Sequence, residues 1–132
     1  MRSLRTLVRS APLLVLVCGL SGVAQAHHSV AAFDRANPIT VAGTLKEFIW
    51  ANPHTWMSLE VPDGKGGTQL WKFEGGAVNM LVRSGWTTTT LQPGMKLKLL
   101  VAPRKDGQIG GEWLKVLDLN GQPFVPTTVN SK

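Results

Sequence analysis

Tyrosine is absent from these 132 residues, and cysteine occurs once. That cysteine, Cys18, falls inside an N-terminal stretch that reads as a removable leader. The mature chain is therefore expected to have no thiol, which excludes a disulfide framework, a thiolate metal site and a cysteine nucleophile. Histidine is scarce too, with three in the whole chain. No second long apolar run follows the first, so no transmembrane segment is expected once the leader is gone. No Gly-rich phosphate loop lies between a strand and a helix, and no nucleophile elbow is present. Ser29 or Ser58 with His54 and Asp34 makes a hydrolase triad only on paper. Nothing in the sequence points to turnover.

The leader spans Met1 to Ala26. Arg2, Arg5 and Arg9 form its positive start, Leu13 to Leu20 its apolar segment, and Ala24-Gln25-Ala26 the small-residue cleavage site. Val17 ahead of Cys18 argues against a lipid anchor, and no twin arginine is present. The expected location is periplasmic or secreted. The whole chain carries a net +6. Without the three leader arginines, eleven Lys and Arg face eight Asp and Glu, a net +3. That mild excess gives no case for nucleic acid as a partner.

What remains is one small domain, without internal repeats, that holds all five tryptophans. Residues 27–38 read as an irregular arm, 39–125 as the domain and 126–132 as a disordered tail. Strands are expected over Ile39–Trp50, His54–Val61, Thr68–Glu74, Met95–Ala102 and Glu112–Leu119. In the first, Val41, Leu45 and Ile49 are assigned to one face. In the second, Thr55, Met57, Leu59 and Val61 share a face opposite His54, Trp56, Ser58 and Glu60. Val116-Leu117 breaks the alternation of the fifth strand and suggests a bulge there. Gln122–Val125 is a candidate for a short sixth strand. Ala77–Ser84 reads as a helix with Val78, Leu81 and Val82 on one face, Gly85 as its C-terminal cap and Trp86 folding back onto it. The order β-β-β-α-β-β is that of a small OB-fold-like five-stranded barrel, with a plain six-stranded antiparallel barrel as the alternative.

The chain also resembles a family of small exported bacterial proteins known only as a domain of unknown function. The resembling residues are His27-His28-Ser29 with Phe33-Asp34, Asn52-Pro53-His54 followed by Trp56, Phe73-Glu74, Gly85-Trp86, and Leu91 with Pro93-Gly94. They run in the same order over nearly all of the mature segment. The resemblance implies an exported, β-rich small domain and supplies no activity. The chain departs from the family's pattern at Gly75-Gly76, where a bulkier residue is expected after Glu74.

Cleavage after Ala26 makes His27 the terminus. A terminal histidine offers its α-amine and its imidazole, which titrate near roughly 7.7–8.0 and 6.5 and so can both ligate metal around neutral pH. Copper(II) accepts such nitrogen ligands in tetragonal geometry, while zinc or nickel fits less distinctively. His54, at the start of a strand, is the natural third nitrogen. His28 is a fourth ligand or an outer group, and Glu74 or Asp34 completes the shell or orients an imidazole. The plainer alternative makes His27 and His28 a solvated end and His54 a turn cap or a ring stacked on Trp50 or Trp56. A second class of function uses Trp50, Trp56 and Lys72, with Glu60, as a face for an envelope protein or glycan partner. Its plain counterpart is that these tryptophans pack the core. The expected function is therefore binding, of copper first and of a partner second.

Overall fold

The computed structural model describes residues 31–124. The expected leader, His27-His28-Ser29, Val125 and the expected tail over 126–132 lie outside the described residues. Five strands and one helix follow in the order expected: β1 (Ile39–Ile49), β2 (Trp56–Pro62), β3 (Thr68–Glu74), α1 (Val78–Arg83), β4 (Lys96–Pro103) and β5 (Gly111–Leu117). The strands form a closed barrel in the order β1-β2-β3-β5-β4. All neighbours are antiparallel except β3 and β5, which pair in parallel at Phe73 and Glu74 alone. The sixth strand reduces to one bridge between Leu117 and Pro123. Among the described residues no helix is long and apolar enough to cross a membrane.

Alternation fills the barrel. Met57, Leu59 and Val61 of β2 and Leu97, Leu99 and Val101 of β4 are buried, as their period of two requires. Strand β1 departs from its expected faces. Among the described residues Lys46 is opposite no backbone position of β2, because the register skips from Leu45 to Glu47. This extra residue moves everything beyond it to the opposite face. Phe48 therefore packs on the core, and Ile49 is 42% exposed. The bulge in β5 lies at Leu114, ahead of the expected Val116-Leu117, since Leu100 faces Lys115 and Val101 faces Trp113.

Helix α1 buries Leu81 but leaves Val82 56% exposed. A six-residue helix touches the core along a narrow stripe, and Val82 falls outside it. Its end is as the sequence indicates. Gly85 takes a φ of 82°, its N–H donates to Val82 O at 3.0 Å, and the Trp86 N–H donates to Leu81 O at 3.0 Å. These are the two bonds of a Schellman cap. Trp86 then packs between Phe48, Trp113 and Phe124, with ring centroids 5.9–6.4 Å away.

The arm is tied down from Ala32 onward. Phe33 is buried and bridges Arg104, the Asp34 N–H donates to Pro103 O at 2.8 Å, and the Lys105 N–H donates to Ala32 O at 2.9 Å.

Candidate functional site

His54 stands at a junction between two loops. Before it, Asn52-Pro53 is a cis peptide. The Asn52 Oδ1 accepts the Val78 N–H at 3.1 Å, so a residue 26 positions away caps the start of α1. After it, the fully buried Thr55 is bonded three ways. Its N–H and hydroxyl both donate to Gly76 O, at 3.1 and 2.9 Å, and its carbonyl accepts the Gly75 N–H at 2.8 Å. The segments 52–55 and 74–78 are thus stitched into one unit.

That unit fixes the imidazole. His54 Nδ1 lies 3.2 Å from Glu74 Oε1 and 3.1 Å from Gly75 O. Both neighbours are acceptors, so Nδ1 carries the proton. In the neutral ring the lone pair then sits on Nε2. Among the described residues Nε2 has no hydrogen-bond partner. A carboxylate and a carbonyl on one nitrogen, with the other left for a ligand, is the outer-shell arrangement of metal-binding histidines.

The departure at Gly75 has a steric reason. A Cβ on Gly75 would fall inside the indole of Trp113, which is 7% exposed and lies across the strand end. Trp113 Nε1 is buried without a hydrogen-bond partner among the described residues. Contact with the backbone at Gly75 is what the missing side chain allows.

Glu74 is in register with Glu112 of β5 on one side and Trp56 of β2 on the other. Arg35 of the arm donates to Glu112 from both Nε, at 2.7 Å, and Nη2. Hydrogen bonding to Glu112, reinforced by its charge, holds the Arg35 guanidinium pKa above its usual value. The row Arg35, Glu112, Glu74, His54 therefore places the arm on the sheet beside the histidine. Asp34 accepts from Ala36 N–H, Asn37 N–H and Asn37 Nδ2 within its own turn. Those bonds, led by the Asn37 side chain, lower its pKa.

Trp56 is 39% exposed on the outer face, opposite Ile49 on β1. Lys72 is on the same face, opposite Ser58. Trp50 is placed elsewhere, packed on the core edge-on to Phe48 at 5.7 Å. Glu60 pairs with Lys46 at 3.1 Å. It also borders a groove of about 330 Å³ between β1, β2 and β4, which His54 does not line. Among the described residues no three His, Cys, Asp or Glu side chains come together to hold a metal ion. His54 and Glu74 meet as a pair, at 3.2 Å.

Residues 15–113 match the profile of a family of unknown function, DUF6152. The chain is a DUF6152 protein. No curated protein and no solved structure matches it. The DUF6152 match takes in His27-His28, Asn52-Pro53-His54, Phe73-Glu74 and Gly85-Trp86, the segments described above. Sequence reasoning named Glu74 or Asp34 as the carboxylate beside an imidazole, and the structure places Glu74 against His54; it missed the contacts of Asn52, Thr55, Gly75 and Trp113 around them. Those contacts join residues far apart in the chain and leave no local pattern.

Proposed function

We propose that this chain is an exported copper-binding protein in which His27, as the mature N-terminus, and His54 share one Cu(II) ion. The observation that supports the reading is the locked tautomer of His54, with Nδ1 bound to Glu74 and Gly75 and Nε2 left as a ligand. The His27 amine and imidazole supply two nitrogens and His54 Nε2 the third, a set that suits Cu(II) over Zn(II). Glu74 orients the His54 ring, and His28 is the fourth nitrogen or an outer group. Six residues from His27 to the buried Phe33 reach about 20 Å when extended, and strands lie about 4.8 Å apart, so the arm is long enough to cross to β3. Binding for storage or delivery needs no substrate cleft.

The test is a Cu(II) titration of the chain beginning at His27 against one carrying an extra N-terminal alanine. Tight one-to-one binding that the alanine abolishes, and that His54→Ala weakens, is expected. Equal, weak binding by both chains ends the copper reading.

A second reading, a module for an envelope protein or glycan partner, draws on the exposed pair Ile49 and Trp56. It expects Trp56→Ala to abolish partner capture from envelope extracts while copper binding stays unchanged.

A further inference from the structure

Strand β3 has one complete side and one nearly bare side. Toward β2 it is in register from Thr68 to Glu74 without a break. Toward β5 it pairs only at Phe73 and Glu74. The backbone at Gly110 lies against the Lys72 carbonyl and covers one residue more. Among the described residues no strand pairs with the outer side of Thr68–Trp71. Thr68, Gln69 and Leu70 are all exposed, and Leu70 is 51% so. Trp71 points to the core side, opposite the buried Leu59, yet is only half-buried because the seam beside it is open.

A bare edge presents unpaired N–H and C=O groups, which folded proteins blunt with proline, bulges or charge. Thr68-Gln69-Leu70-Trp71 contains none of these. We propose that this edge pairs antiparallel with the same edge of a second copy, about a two-fold axis at Leu70. A self-pairing strand must set each residue against one on the same face, so the axis has to pass through a residue. With the axis at Leu70, Leu70 meets Leu70 outside, Gln69 meets Trp71 on the core side, and Thr68 stands across from Lys72. No like charges oppose one another, which is the condition for a stable cross-strand pair. The absence of charge on this edge favours an identical neutral edge over a charged peptide. The pairing extends the sheet as β2-β3-β3-β2 and closes with two copies. It is independent of the copper reading, since Glu74 and the His54 it contacts are at the covered end of β3, away from Thr68–Trp71.

Sedimentation of the full chain over a dilution series tests the pairing, together with Leu70→Lys. The expected result is a dimer that dissociates on dilution, and a variant with unchanged circular dichroism, and unchanged melting at concentrations where both chains are monomers, whose dimer is at least about tenfold weaker. In a Cys18→Ser background, Leu70→Cys is expected to crosslink to itself faster than Gln69→Cys, because only position 70 meets its own copy. A monomer at every concentration, a dimer indifferent to Leu70→Lys, or equal crosslinking overturns the proposal. A monomer that captures an extended peptide on β3 overturns it as well, and assigns the edge to strand addition by another chain.

Discussion

Alanine at Gly75 and alanine at Gly76 are neighbouring, chemically identical changes with opposite expected signs. Neither glycine has a positive φ. On backbone entropy alone, each substitution should stabilise the fold by about 0.4–1 kcal/mol. At Gly76 nothing opposes this gain, because the new methyl meets only Met80 Sδ at 3.8 Å. At Gly75 the methyl falls within the Trp113 ring. That ring is buried and packs at a tilt against Trp86, with centroids 5.9 Å apart, so it has little room to withdraw. Forced overpacking of this kind costs about 1–3 kcal/mol. In a domain of this size, that lowers Tm by roughly 5–20 °C. Thermal unfolding followed by circular dichroism separates the two. Gly76→Ala should melt at or slightly above the parent, and Gly75→Ala well below it. Trp113→Phe removes part of the clash, so the double variant should lose less than the two single losses combined. If Gly75→Ala melts with Gly76→Ala, then Trp113 does not confine this backbone, and the account of the His54 platform fails with it.

Asn52→Ala should cost about 0.5–2 kcal/mol by removing the Val78 cap, visible as a lower urea midpoint with an unchanged slope. Asn52→Asp should recover most of the loss, and equal loss in both variants would refute the capping role. The acid side of stability should depend on three turn carboxylates. Asp34 is held low chiefly by the Asn37 side chain, Asp63 by the backbone N–H groups of Lys65 and Gly67, and Asp106 by Arg104. Because their folded pKa values lie below the unfolded ones, their contribution is present above about pH 4 and is lost as pH falls toward the lowered values. Asp63→Asn should therefore flatten the decline of the urea midpoint below about pH 4, and a curve parallel to the parent's would refute this.

Much of the barrel is legible because three strands obey simple rules. Met57-Leu59-Val61, Trp71-Phe73 and Leu97-Leu99-Val101 alternate between turns marked by glycine and proline, and each lies in a strand as expected. The misreadings within strands β1 and β5 share one physical cause. A bulge has no composition of its own, so Lys46 and Leu114 look like ordinary strand residues until a partner strand fixes the register. Assigning Ile49 to the core followed from carrying the alternation through Lys46. At the site, the residue types were legible and their positioning was not. His54 and Glu74 stand out as rare ionisable groups beside aromatic residues. The bond between them depends on Thr55 and Gly75 being stitched together across the sheet, which is a property of the fold.

Strand β1 has to satisfy two neighbours in succession. Ile39–Thr44 pair with β4 and Thr44–Ile49 with β2, with Thr44 common to both. The chain can form β1, β2 and β3 as a local meander, but half of β1 waits for a strand that comes after the helix. Pairings between segments so distant in sequence form slowly, because the intervening loop must be ordered first. Until β4 arrives, the meander has no enclosed interior and its leucines remain in water. Closure is therefore a late event that completes only when nearly the whole domain is present. In the export proposed for this chain, that delay leaves the barrel open until nearly the whole domain has crossed.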